Sequence, residues 1–223
     1  LSTAAGWLTE NGTWGVLGAD MRHWRDDRVQ TLAVLMDASI NLDFHGIGAD
    51  EELADHPLAY NLKPIGGLVQ AKHRLGGSRA WLGLGYQFAR TDVTFDTPDD
   101  PEVPLAERVS RAGGLIPSFT YDSRDSIFTP GHGTYVELSG GFFGSALGGD
   151  DTFERAGVVA MQFVTLHPKV ALGVRGDLDM SFGDMPFYMR PYVGMRGVPV
   201  LRYQGEHAAK VETELRYQFW KRF

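Results

Sequence analysis

Arg196 stands in the connection "MRGVPVLRYQGEH", residues 195–207, between two of the most regular alternating stretches of the chain, and both stretches carry carboxylates. Upstream, "VALGVRGDLDMSF" sets Asp177 and Asp179 in one row with Arg175, and downstream "KVETELRYQF" sets Glu212, Glu214 and Arg216 in another. An arginine opposite such acids does one kind of chemistry, which is to pair its planar fork bidentately with a carboxylate. The loop is then either a solvated surface segment or a plug whose arginine folds back onto the protein. Its neighbouring strands decide which.

Other chemistries find less support. There is no cysteine, so thiolate nucleophiles, thiolate metal sites and disulfides are excluded. His23, His45, His73, His132, His167 and His207 are scattered without HxxxH or HxH spacing, and no metal site is expected. "GDDTFE" and "DTPDDPE" have the composition of calcium loops but lack the alternating oxygen ligands and closing glutamate. Ser139, Ser181 and His132 could be parts of a hydrolase, yet no local motif joins them. The glycines of "GLGY", "GGLVQ" and "LSGGFFG" open no helix and suit bends and close packing in strands better than phosphate binding. No enzyme and no cofactor is expected. A net charge of -7 argues against a nucleic-acid surface.

The elements that must position the charged rows are strands. "RVQTLAVLMDASINLDF" puts Leu32, Val34, Met36, Ala38, Ile40, Leu42 and Phe44 on one face. Val170, Leu172, Val174, Leu178, Met180 and Phe182 form a second apolar row, and Val211, Thr213, Leu215, Tyr217 and Phe219 a third. Weaker alternations recur in "WLGLGYQFAR", "GLIPSFTY" and "FERAGVVAMQFVTL", giving about ten strands in all. Several exceed the ~6 residues usual in soluble sheets and reach the ~9 to 11 that cross a tilted membrane barrel. No stretch approaches the ~18 apolar residues of a membrane-spanning helix.

Short connections ("HWRDDR", "LGGSR", "LHPK") alternate with long ones ("GIGADEELADHP", "DTPDDPEVPLAE" and the segment containing Arg196), the parity of an up-and-down barrel. "TENGT" is short where this parity asks for a long loop, and "YDSRDSIFTPGHG" is extended where it asks for a short turn. The expected fold is all-β, an antiparallel up-and-down transmembrane β-barrel, with residues 1–223 as one domain. A soluble sandwich or lipocalin-like barrel is the alternative. In a membrane barrel the charged rows line a wet lumen. Trp7, Trp14, Trp24, Trp81 and Trp220, near strand ends, suit an interfacial girdle.

Two motifs carry a resemblance. "YDSRDSIFTPGHGTYVELSGGFFG" followed by "MRGVPVLRYQGEHAAKVETELRYQF" resembles the barrel domain of the outer-membrane assembly-factor, or bacterial surface-antigen, superfamily. Asp122, Arg124, Asp125, Pro130, Gly133, Tyr135 and Leu138 match its Asp-x-Arg-Asp turn and the strand after it, and Arg196 and Gly197 match the core of its inward-folded loop. Met195 and Val198 depart from the valine and aromatic usual there.

The resemblance implies that Arg196 is held by acidic groups of the lumen wall, with Glu214 the leading partner and Asp177 and Asp179 competitors. It also implies a location in the bacterial outer membrane, lipids as surroundings, and unfolded outer-membrane proteins or a periplasmic partner as contacts. The function implied is protein insertion or translocation; a passive pore or structural barrel is the rival, and a membrane-embedded hydrolase a more distant one. The family barrel has about sixteen strands, so these residues are expected to be part of a larger barrel, incomplete at both ends, with a smaller closed form as the alternative and no periplasmic polypeptide-transport-associated domain before Leu1. The terminal-aromatic signal that Phe223 suggests is not expected to apply.

Overall fold

The computed structural model describes residues 1–48, 53, 55–96 and 107–219. Ten strands follow one another in space as they do in sequence, each antiparallel to the next. They are β1 (Ser2–Leu8), β2 (Trp14–Trp24), β3 (Val29–Phe44), β4 (Leu58–Arg74), β5 (Ala80–Phe95), β6 (Glu107–Asp122), β7 (Gly133–Phe143), β8 (Phe153–His167), β9 (Val170–Gly183) and β10 (His207–Tyr217). At about 3.3 Å per residue a 16-residue strand such as β5 runs roughly 50 Å. That exceeds the ~30 Å of a bilayer's hydrocarbon even after tilting.

Cross-strand register assigns every side chain to one of two faces. The outer face carries Leu82, Leu84, Tyr86 and Phe88 of β5, Leu138 and Phe142 of β7, Leu178 of β9 and Val211 and Leu215 of β10, all exposed. This apolar belt continues across β1–β4 through Ala4, Val16, Leu35, Ile65 and Val69, and the ten strands thus present a hydrocarbon-compatible surface.

Toward the short-turn end the inner face of β4–β7 is polar. Lys72 Nζ donates to Thr120 Oγ1 at 3.1 Å and lies 3.8 Å from Glu137, and Gln70 reaches Ser118. The charged row of β9 and β10 also points inward, as the sequence alternation implies. β3 behaves differently. Its apolar row, Leu32 to Phe44, faces the lumen rather than lipid, while Asp37, Asn41 and Asp43 point outward. Packing explains the inversion: Phe44 joins Tyr60, Leu62, Val93 and Phe95 in a buried cluster inside the long-loop end, with Ile40 and Leu42 against it.

Two of the tryptophans likewise depart from a girdle. Trp7 lies on the inner face over Gly15, and Trp81 is buried inside with Arg74 stacked 4.6 Å from its ring. Trp14 and Trp24 do face outward near strand ends, and Trp220 lies outside the described residues.

Candidate lumen anchor

The wall opposite the long loop is a charged ladder fixed by register. Asp177 faces Lys210 directly across β9 and β10, and Arg175 faces Glu212. Residues two apart on one strand share a face, and Arg175 closes a fork on Asp177, its Nε 2.8 Å from Oδ2 and its Nη2 2.8 Å from Oδ1. Lys210 Nζ lies 3.3 Å from Asp177 and 3.3 Å from Glu212. The same ammonium donates to the carbonyl of Gly194 at 3.0 Å, which pins the loop to the wall.

The loop between β9 and β10 packs in part against the inner wall. Met185 is buried against Phe143 and Phe153, and Phe187 enters the aromatic cluster with ring centroids 5.0 Å from Phe44, 5.5 Å from Tyr60 and 5.8 Å from Phe95. The side chain of buried Gln204 donates to the Phe187 carbonyl at 2.7 Å, and its backbone carbonyl accepts from Gly48 N at 2.9 Å. Tyr192 bridges to Gln204 as a short antiparallel pair, so the loop is a folded-back hairpin.

Arg196 and Gly197 sit at the exposed tip of that hairpin, where Gly197 takes a left-handed φ of 80°. Arg196 makes no ion pair among the described residues, and the structure does not bring it to Glu214. Glu214 is 66% exposed and meets Arg216 at 3.7 Å. Asp177 is fully engaged by Arg175 and Lys210, whereas Asp179, beside it on the inner face, has no ion pair among the described residues. Sequence reasoning missed Phe187, Met185, Gln204 and Lys210. Lys210 was legible as the polar neighbour of Glu212, but its pairing with Asp177 needed the register.

The second motif is brought together closely. Asp122 accepts from Arg124 through Nε at 3.0 Å and Nη2 at 2.8 Å, and the guanidinium lies 4.5 Å from the Tyr135 ring. Tyr135 donates to Glu137 at 2.6 Å. Asp125 Oδ1 accepts from the backbone of Gly131 at 2.9 Å and His132 at 3.2 Å, closing the turn, and Pro130 is buried. The His132 and Gly131 amides, with the His132 ring nearby, hold the Asp125 carboxyl below the usual aspartate range. Gly133 has φ of 112°, and a Cβ there would sit 2.5 Å from the Ser123 carbonyl oxygen, so glycine is required.

The serine–histidine parts are not assembled. Ser181 donates to Glu206 O near the long-loop end, while His132 pairs with Asp125 at the short-turn end.

Long antiparallel up-and-down strands with an apolar outer belt and a charged inner wall define the wall of a transmembrane β-barrel of the bacterial outer membrane. The chain belongs to the Omp85 superfamily, whose domain matches residues 23–197. It is 31% identical over 124 residues to the outer membrane protein assembly factor BamA of Nitratidesulfovibrio vulgaris, covering 53% of this chain and 16% of that protein. Its fold resembles the crystal structure of BamA from Haemophilus ducreyi lacking POTRA domains 1-3. The TM-score is 0.63 at 14% identity, over 83% of this chain and 37% of that one. The chain therefore spans well under half the length of either protein.

Proposed function

We propose that this barrel serves the insertion or translocation of outer-membrane proteins, with unfolded outer-membrane proteins and a periplasmic partner as its contacts. The observation that carries the reading is the loop between β9 and β10, folded onto the inner wall and held there at Phe187, Met185 and Gly194. The likeness to a protein named as an assembly factor supports the same direction. A passive pore is the second reading, and the inward loop weighs against it because it occupies the space through which solutes would pass.

Arg196 is exposed at the tip without an ion pair among the described residues, so in this reading it anchors the loop only after the tip moves toward Glu214 or Asp179; the fastening of Gly194, two residues earlier, to Lys210 of β10 keeps it near that wall. Charge reversal at Arg196, alone and with reversal at Glu214, tests the pair; rescue by the double variant supports it, and unchanged loop protection in the single variant discards it.

Depletion of the protein in its host, with outer-membrane protein levels as readout, tests the main reading. A fall in several barrel proteins is expected. Normal levels together with a wide, stable conductance of the purified barrel would instead establish a pore.

A further inference from the structure

Behind the folded loop lies a cavity of about 460 Å³, roofed by Met189–Gly194 and walled by the inner faces of β7–β10. Asp177 is matched there by Arg175 and Lys210, which leaves Arg155, Arg190 and Asp179 to account for. Arg155 meets no carboxylate within ion-pair range among the described residues, and Asp179, its diagonal neighbour on β9, acts on it only from beyond that range. Its Nη2 donates to the neutral Gln87 Oε1 at 3.3 Å, and the group lies 5.4 Å from the Phe143 ring.

Arg190 is similarly underused. Its Nε is buried without a hydrogen-bond partner, and its Nη1 is 3.9 Å from Glu206, too far for a hydrogen bond. Each guanidinium carries five N–H donors in a planar fork that fits the oxygens of a phosphate or carboxylate. A desolvated donor left without an acceptor is costly, and an oxyanion would relieve that cost.

We propose that this cavity binds a small oxyanion, a phosphate or carboxylate group, between Arg155 and Arg190. Asp179 on the same wall opposes such a ligand and sets the sign of one test. Binding of this kind is independent of whether the barrel inserts proteins.

The experiment is calorimetric titration of the purified, detergent-solubilised protein with inorganic phosphate and, separately, with acetate at constant ionic strength. Saturable binding of at least one is expected, and the one that binds identifies the oxyanion class. Arg155→Gln and Arg190→Gln should each weaken it by roughly tenfold, while Asp179→Asn should tighten it. Heat-modifiable migration checks that each variant is folded; should Arg155→Gln not fold, Arg190→Gln on the loop carries the test. No saturable binding by the wild type, equal affinity in the folded arginine variants, or loss of binding in Asp179→Asn overturns the proposal.

Discussion

The ring of Phe187 stands 5.0 Å from that of Phe44 at an interplanar angle of 67°, an edge-to-face contact between the β9–β10 loop and the inner face of β3. This contact and its neighbours fasten the loop by apolar packing. Edge-to-face aromatic pairs contribute about 0.5–1.5 kcal/mol each beyond burial, and Phe187 touches several rings at once.

Phe187→Ala is therefore expected to release the loop at a cost of about 2 kcal/mol or more, since the cluster loses its central ring while the strands remain paired. Trypsin cleavage after Arg196 or Arg202 should quicken, and conductance of the purified barrel should rise. Unchanged cleavage would show that Met185 and Lys210 suffice to hold the loop.

Asp177→Asn removes the negative charge, and one of the two acceptor oxygens, shared by Arg175 and Lys210. Each charge-assisted hydrogen bond is worth about 1.5–3 kcal/mol, and the Asp177 side chain is only 11% exposed, so little of this is screened away. The heat-modification midpoint should fall clearly. Glu214→Gln, at an exposed site with a long contact to Arg216, should barely move it.

Acid should loosen the turn of residues 123–132. Asp125 has a folded pKa below its ordinary value, so its contribution is fully present above the unfolded aspartate pKa of about 3.9 and is lost as pH falls through the lower folded value. Protection of the Gly131 and His132 amides, taken relative to their intrinsic exchange rates, should be high at neutral pH and fall below about pH 4. Asp125→Ala should show the low protection at every pH.

Gly133→Ala and Gly197→Ala offer a matched pair, because both glycines have positive φ, 112° and 80°. Gly197 has open space around its would-be Cβ, whereas Gly133 meets the Ser123 carbonyl. Strain at a left-handed site costs about 1–3 kcal/mol, so both should destabilise, with Gly133→Ala the worse by thermal midpoint. Equal losses would mean that the turn backbone gives way without cost.

How much of this was legible in the sequence depends on what alternation can encode. The period of two in β9 and β10 identified strand, face and charge together, because their two rows differ in polarity. In β3 the same period separated Leu32–Phe44 from Thr31–Asp43 but could not say which row faced inward; only the partners Tyr60, Val93 and Phe95 settle that. The Asp-x-Arg-Asp turn was readable because its contacts are nearly local, with Asp122 and Arg124 two residues apart. Phe187 was not. A lone aromatic in an aperiodic loop gives no signal, and its partners lie on strands about ninety or more residues earlier in the chain.

The inner wall is divided: Leu17, Leu32, Val34 and Met36 on β2 and β3, against Lys72, Glu137, Asp177 and Lys210 further round. Water and mobile ions will be held along the second sector and expelled from the first, where apolar walls favour drying. Along these ten strands the hydrated side is therefore that of β9 and β10, where Gly194 is tethered to Lys210.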